Sequence, residues 1–317
     1  MKAVVAEKYG KPSELKIVEM PAPDPKENEV QIAVEYTAVN PVDWKILEGY
    51  FDSYPHEFPF VLGWDAAGTV RKTGKKVAAF QEGDEVYCYC RKPKIQWGTY
   101  AEYICMEEAH VALKPKNLNF AQAASIPLAG LTAWQALFDA GKLQENEKIL
   151  IHAGAGGVGG MAIQFAKNRG AFVITTASTE NFSYVKKLGA DLAIDYREED
   201  FAKRIRKEFP EGIDFALDTI GGETCRKNFS ILKSNGRLVS LLEQFGENNP
   251  PPKDIACHFV FVEPNGQQLQ QIAELIEQGK VIAPKIHEMR LEEAAKALQE
   301  SRQGHVAGKI VLNVHAA

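Results

Sequence analysis

Three glycines set as Gly154-x-Gly156-x-x-Gly159 follow the apolar run Lys148-Ile149-Leu150-Ile151. Directly behind them Val158, Met161, Ala162, Phe165 and Ala166 recur at i, i+3, i+4, i+7 and i+8, one face of a helix. A glycine turn between a strand and a helix suits the binding of a pyrophosphate, and that context separates a dinucleotide fingerprint from a chance glycine cluster. Gly154 is expected to take the tight turn, Gly156 to let backbone approach the phosphates, and Gly159 to let helix and strand pack closely. The first helical N–H groups, those of Gly157 and Val158 among them, then face the anion with the helix dipole behind them.

The second strand of such a fold decides which dinucleotide fits. A fold specific for NAD places Asp or Glu about 20 residues past the first glycine, to accept from the ribose hydroxyls. Here that region reads Ile174-Thr175-Thr176-Ala177-Ser178-Thr179, without an acid, so nothing in it repels a 2′-phosphate. NADP(H) is therefore the expected cofactor. Ser178 can donate to the phosphate, and it can equally cap the helix that follows.

The elements around this turn fall into two rhythms. Residues 1–119 read as short strands with frequent breaks: Val30, Ile32 and Val34 alternate with polar neighbours, as does the stretch from Gly98 to Ile104. Pro21, Pro23, Pro25, Pro41, Pro55 and Pro59 punctuate this half, which predicts an antiparallel, barrel-like unit rather than helices. From residue 120 helical patterns appear, and from residue 149 strands and helices alternate. Strand-like runs at 149–151, 172–176, 192–195, 213–218 and 237–242 predict a parallel sheet with helices on both faces. The helical stretch 267–278 and the strand-like Lys309-Ile310-Val311-Leu312 come too late for that sheet and are expected to return to the first domain.

Composition sets limits on the function. A chain of 317 residues suggests about two domains, and 45% hydrophobic with 25% charged residues is ordinary for a soluble globular protein. A formal charge of −5 argues against nucleic acid or an acidic membrane as the main partner. No run is long enough to span a membrane, none reads as a signal peptide, and five scattered cysteines fit reduced thiols in the cytoplasm.

The fingerprint lies mid-chain behind a β-rich half, and further motifs stand in a fixed order around it. These are Asn40-Pro41-Val42-Asp43, Gly63-Trp64-Asp65-Ala66-Ala67-Gly68, Gly83-Asp84-Glu85-Val86, Gly98-Thr99-Tyr100-Ala101-Glu102-Tyr103 and Ser125-Ile126-Pro127-Leu128-Ala129-Gly130-Leu131-Thr132-Ala133. After the glycine turn come Asp214-Phe215-Ala216-Leu217-Asp218-Thr219-Ile220-Gly221-Gly222 and Gly308-Lys309-Ile310-Val311-Leu312. In this order they resemble the medium-chain dehydrogenase/reductase superfamily, and within it the zinc-independent quinone oxidoreductase group. The resemblance implies an α/β chain with a GroES-like β-barrel catalytic domain, residues 1–119 with a return at 264–317. It implies a Rossmann doubly wound domain binding NADP(H) over residues 120–263. It also implies a cofactor cleft and a homodimer.

Zinc-dependent members of the superfamily carry Cys, Gly-His-Glu and Cys around their metal. This chain has Asn40 to Asp43 in the first slot and Gly63-Trp64-Asp65 in the second. The indole N–H is only a donor, so Trp64 cannot ligate a metal, and no metal is expected. Without a Lewis acid the hydride acceptor must already be electrophilic, such as a quinone or an activated enone.

Several site residues follow from the resemblance. Asn40 and Asp43 lie where the catalytic domain of similar enzymes faces the nicotinamide. Asn40 can bond a substrate oxygen or the cofactor ribose, or simply end a turn before Pro41; Asp43 can orient the site or be a solvated loop carboxylate. Thr132 matches a threonine that bonds the cofactor, although a helical Thr can also back-bond to its own turn. Tyr196 matches a position that contacts the 2′-phosphate, against a plain half-buried loop aromatic. The similar reductases often place Lys where this chain has Asn181, and Arg197 can compensate. Tyr50 is the candidate proton donor, with a pocket wall as the alternative. An enoyl-thioester or alkenal reductase, and an NADPH-binding protein of low turnover acting through a partner, stay open beside the quinone reading.

Overall fold

A computed structural model describes residues 1–247 and 249–315. Asn248, at the head of the Pro-rich loop, and the last two residues of the expected 264–317 return lie outside the described residues. The chain divides into two compact units: Met1–Leu128 with Glu263–Gly279 and Ala283–Ala317, and Ala129–Val262 with Lys280–Ile282.

The first unit is built on a seven-stranded sheet. Its path runs Ile286–Arg290, Lys309–Asn313, Glu29–Ala38, Asp65–Thr73, Glu85–Tyr89 and Val111–Leu113, with Tyr103–Glu107 also pairing with Glu29–Ala38. All pairs are antiparallel except Ile286–Arg290 with Lys309–Asn313. A smaller sheet orders Lys16–Glu19, Lys2–Ala6 and Phe60–Val61. Val30, Ile32 and Val34 are fully buried, as their alternation predicts, but Gln31 between them is buried too, so this strand is covered on both faces. The strand expected from Gly98 begins only at Tyr103.

Pro41 corrects the expectation of a half without helices. It opens the helix Pro41–Leu47 instead of breaking a strand. At the first helical position the missing N–H costs nothing, because that donor has no intrahelical acceptor, and the fixed φ already suits a helix.

The second unit carries a six-stranded, wholly parallel sheet in the order Leu192–Asp195, Phe172–Ala177, Lys148–Ile151, Ile213–Asp218, Leu232–Ser240, Ala256–Phe259. This is the 3-2-1-4-5-6 winding of a Rossmann domain. Its first strand is buried on both faces, Ile149, Leu150 and Ile151 all being inaccessible, which explains why it reads as a continuous apolar run. The helix Gly157–Asn168 buries Met161, Ala162, Ile163, Phe165 and Ala166. The strand expected at 237–242 starts five residues earlier, at Leu232. Its opening Ser234-Asn235-Gly236 looks like a turn, and Asn235 does take a left-handed φ of 63°.

Candidate functional site

The glycine turn has a division of labour that the spacing only partly predicts. The left-handed residue is Ala153, with φ of 50°, and not Gly154. A left-handed alanine costs about 1–2 kcal/mol. It is held there by neighbours: the Ala153 N–H donates to Thr176 Oγ1 at 3.1 Å and the Gly154 N–H to the Thr176 carbonyl at 3.0 Å. Gly154 is needed for another reason. A Cβ there would lie 2.1 Å from Thr175 Oγ1 and 2.8 Å from Ile163 Cδ1, so the glycine seats the turn between strand and helix. A Cβ on Gly159 would meet the Ala153 carbonyl oxygen at 2.3 Å.

Gly156 stands apart. A Cβ added there would meet only the Ala153 carbonyl oxygen, at 3.3 Å, so protein packing barely requires a glycine. Gly156 is also the N-cap of the helix Gly157–Asn168, and no side chain caps it. The N–H groups of Gly157, Val158 and Gly159 begin that helix, and an anion is what such a terminus accepts. The residues present thus fit a pyrophosphate. His152, just ahead of the turn, is core: it is 2% exposed, with Nδ1 3.1 Å from Thr176 Oγ1 and Nε2 3.0 Å from Asn228 Oδ1.

At the carboxyl end of the next strand, Phe172–Ala177, Ser178 is buried and makes no cap bond; its Oγ accepts from Asn181 Nδ2 at 3.0 Å. Tyr196 is 52% exposed, and the Arg197 guanidinium lies 5.6 Å over its ring. Two acids escape a reading confined to residues 174–179. Asp195 Oδ2 accepts the Thr179 N–H at 2.7 Å and the Thr179 hydroxyl, while Oδ1 accepts the Arg197 N–H at 2.8 Å. The Thr179 hydroxyl, first among these contacts, holds the Asp195 carboxyl below its ordinary range. Glu180 pairs with Arg197 at 3.2 Å. Thr132 lies buried in the helix Pro127–Trp134.

In the first unit Asn40 and Asp43 are joined in a buried polar cluster with Asp65, Tyr100 and Lys309. Asp43 Oδ2 accepts the Asn40 N–H at 2.8 Å and the Tyr100 hydroxyl at 3.0 Å. Asn40 Nδ2 donates to Asp65 Oδ2 at 2.8 Å, and its Oδ1 accepts from the Lys309 ammonium. Lys309 also donates to the Val39 carbonyl at 2.9 Å and lies 3.7 Å from Asp65 Oδ2, whose partner oxygen takes the Leu128 N–H at 2.7 Å. Asp43 is wholly inaccessible and Asn40 2% exposed. Asp43 is thus no solvated loop carboxylate, and the Asn40 amide is turned inward. Burial above all pushes the Asp43 carboxyl up to about 7. Burial likewise raises Asp65 and lowers Lys309, each opposed by the charge of the other. The cluster ties the start of helix Pro41–Leu47 to the first residues of strands Asp65–Thr73 and Lys309–Asn313. Sequence spacing gave no sign of it, because Asn40 and Lys309 are 269 residues apart.

Tyr50 is 68% exposed on the turn after that helix, edge-on to Trp44 at 5.9 Å. Trp64 is core, packed against Phe51 and Tyr89. Among the described residues no group of three or more His, Cys, Asp or Glu side chains comes together as a metal site.

A Rossmann sheet with its glycine turn and a GroES-like unit define a nucleotide-dependent medium-chain oxidoreductase fold. Residues 26–116 match the alcohol dehydrogenase GroES-like domain family and residues 188–312 the zinc-binding dehydrogenase family. The chain is 39% identical to an NADPH-dependent alkenal/one oxidoreductase, chloroplastic, of Arabidopsis thaliana, over 98% of this chain and 79% of that one. It is also 39% identical to a 2-methylene-furan-3-one reductase of Solanum lycopersicum, over 99% and 79%. Among solved structures, a quinone oxidoreductase from Coxiella burnetii superposes with a TM-score of 0.87 at 33% identity, covering 99% of both chains. The chain belongs to the medium-chain dehydrogenase/reductase superfamily, in its zinc-independent, quinone oxidoreductase-type group.

Proposed function

We propose that this chain is an NADPH-dependent reductase that passes hydride to a quinone or an activated enone without a metal. The observation that carries the reading is Gly156, where an added Cβ would meet only one carbonyl oxygen, at the uncapped N-terminus of a helix. The backbone of Gly156, Gly157, Val158 and Gly159 holds the pyrophosphate, Gly154 seats the turn, Ser178 and Tyr196 stand at the adenosine end, and Thr132 contacts the cofactor. When bound, the reduced nicotinamide supplies the hydride. Asn40 and Asp43 hold the helix Pro41–Leu47 in place, and solvent or the exposed Tyr50 hydroxyl returns the proton.

The acceptor class rests on chemistry and kinship together. Where His would ligate a metal this chain has Trp64, so the acceptor brings its own electrophilic carbon. The plant relatives are named for alkenals and a methylene-furanone, both unsaturated carbonyls. The partner is thus a small molecule, and a charge of −5 disfavours nucleic acid and acidic membranes. Among the described residues no helix is long and apolar enough to cross a membrane. Five free cysteines suit a reducing compartment, and we place the chain in the cytoplasm. Ala256–Phe259 is a sheet-edge strand, and pairing of two such edges is the homodimer contact we favour.

The test is NADPH oxidation against a panel of quinones, enones and enoyl-thioesters, run beside a nucleotide titration. Turnover of quinones or enones supports the reading. Faster turnover of a crotonyl-thioester moves the chain to the enoyl reductases, and tight NADPH binding with no turnover makes it a binding protein.

A further inference from the structure

Beyond the strand Phe172–Ala177, a carboxylate and a guanidinium meet where a dinucleotide's adenosine ribose belongs in a fold wound this way. We propose that Glu180 sets the choice between the two pyridine dinucleotides: its carboxylate competes with the adenosine 2′-phosphate for Arg197, and so narrows the preference for NADPH over NADH. The inference rests on the cofactor reading above.

Glu180 lies two residues past Ser178. The Ser178 hydroxyl, the Glu180 backbone and Arg197 together hold its carboxyl below the ordinary range, so it is ionised at neutral pH. Arg197 Nη1 reaches both of its oxygens, at 3.2 and 3.4 Å. The two side chains keep 45% and 64% of their surface, so the pair is weak and opens readily. Arg197 stays near by other means, its backbone N–H on Asp195 and its guanidinium over Tyr196.

A 2′-phosphate offers a guanidinium a bidentate, more strongly charged acceptor than one carboxylate does. Taking it leaves Glu180 unpaired beside a phosphate, with Asp195 adding to the negative charge. An NADH ribose has a 2′-hydroxyl instead, which donates to Glu180 and leaves the ion pair intact. Asn181 is neutral and adds no charge, and its Nδ2 donates to Ser178 Oγ at 3.0 Å.

The experiment is a fluorescence titration of the intact chain with NADPH and with NADH, for the parent, E180Q, R197Q, R197K and E180Q/R197Q. E180Q should raise the NADH-to-NADPH ratio of dissociation constants about fivefold, the scale of one exposed charge contact, chiefly by tightening NADPH. R197Q should lower the ratio by a similar factor, R197K should fall between the parent and R197Q because lysine keeps the charge but not the bidentate fork, and E180Q should have less effect in the R197Q background. If E180Q moves both constants by the same factor, or neither, the competition does not exist. If the parent binds neither nucleotide, the cofactor reading itself fails. Thermal unfolding of each variant, expected within a degree or two because both side chains are exposed, shows that the ratio is read on folded protein.

Discussion

Replacing Lys309 by methionine removes the cation from the buried cluster and leaves Asp65 with no counter-charge. At 3.7 Å and an effective dielectric of about 20, the Lys309–Asp65 attraction amounts to about 4–5 kcal/mol. Much of that offsets the cost of drying both charges, so the pair's net worth is small while breaking it is expensive, about 3–5 kcal/mol. Asp65 has one escape: burial already raises its pKa, and protonation limits the loss. Asp65→Asn in the Lys309→Met background removes the stranded charge; the new amide oxygen can still take the Leu128 N–H, and Asn40, released by Lys309, can turn its amide so that Oδ1 accepts from the new NH2. K309M should therefore lose about 3–5 kcal/mol, and D65N/K309M should recover at least about 2 kcal/mol of it. The assay is urea unfolding at pH 7.5, followed by circular dichroism and tryptophan fluorescence. If the two units unfold in separate steps, the relevant one is the step of the unit that holds Asp65. A double variant that loses as much as the two single variants added together would refute the coupling.

Other outcomes follow from the same geometry. The folded chain keeps a proton on Asp43 up to about pH 7, whereas an unfolded aspartate releases it near pH 4. Stability therefore falls as pH rises through that window, and Asp43→Asn should flatten the fall between pH 5 and pH 8 by up to about 3 kcal/mol, with Asp65 leaving a residual slope; urea unfolding at those two pH values decides it. Tyr50→Phe should leave turnover within about twofold, since an exposed phenol can be replaced by water as proton source; a loss of tenfold or more would make Tyr50 the donor. Gly154→Ala should destabilise by about 1–3 kcal/mol or more, since its Cβ would sit 2.1 Å from Thr175 Oγ1, measurable as a lowered unfolding midpoint.

The parts legible in the sequence are those set by neighbours along the chain. The apolar run 149–151, the three glycines and the helical face from Val158 lie within 18 residues, and each states its environment locally. Even there the turn held a surprise. The left-handed residue is Ala153, because Thr176 supplies the bonds that hold it, and Thr176 belongs to the next strand. Pro41 misled for a related reason: a proline that breaks a strand and one that opens a helix look alike until the residues behind it are weighed. Trp64 pointed away from a metal because its chemistry needs no partner to be read.

The buried cluster was hidden by distance. Asn40, Asp65 and Lys309 each begin or precede a different element, and only the sheet order that sets Lys309–Asn313 beside Glu29–Ala38 brings them together. Glu180 stands one residue beyond the stretch 174–179 where an acid is expected, inside the turn Thr179–Asn181 that follows the strand. Arg197 belongs to the loop after a neighbouring strand, so its pairing with Glu180 is a property of the parallel sheet.

The central claim is that a pyridine dinucleotide lies on the turn at Gly154–Gly159, and one variant separates that claim from the fold. A Cβ on Gly156 would meet only the Ala153 carbonyl oxygen, at 3.3 Å, which a shift of a few tenths of an ångström relieves, and the side chain would occupy the face offered to the pyrophosphate. NADPH titration of the parent chain and of Gly156→Val should show binding by the parent. The variant should unfold within about 1 kcal/mol of the parent and lose at least about tenfold in affinity, some 1.4 kcal/mol. Equal affinity in the two proteins, or no binding by the parent, would contradict the account.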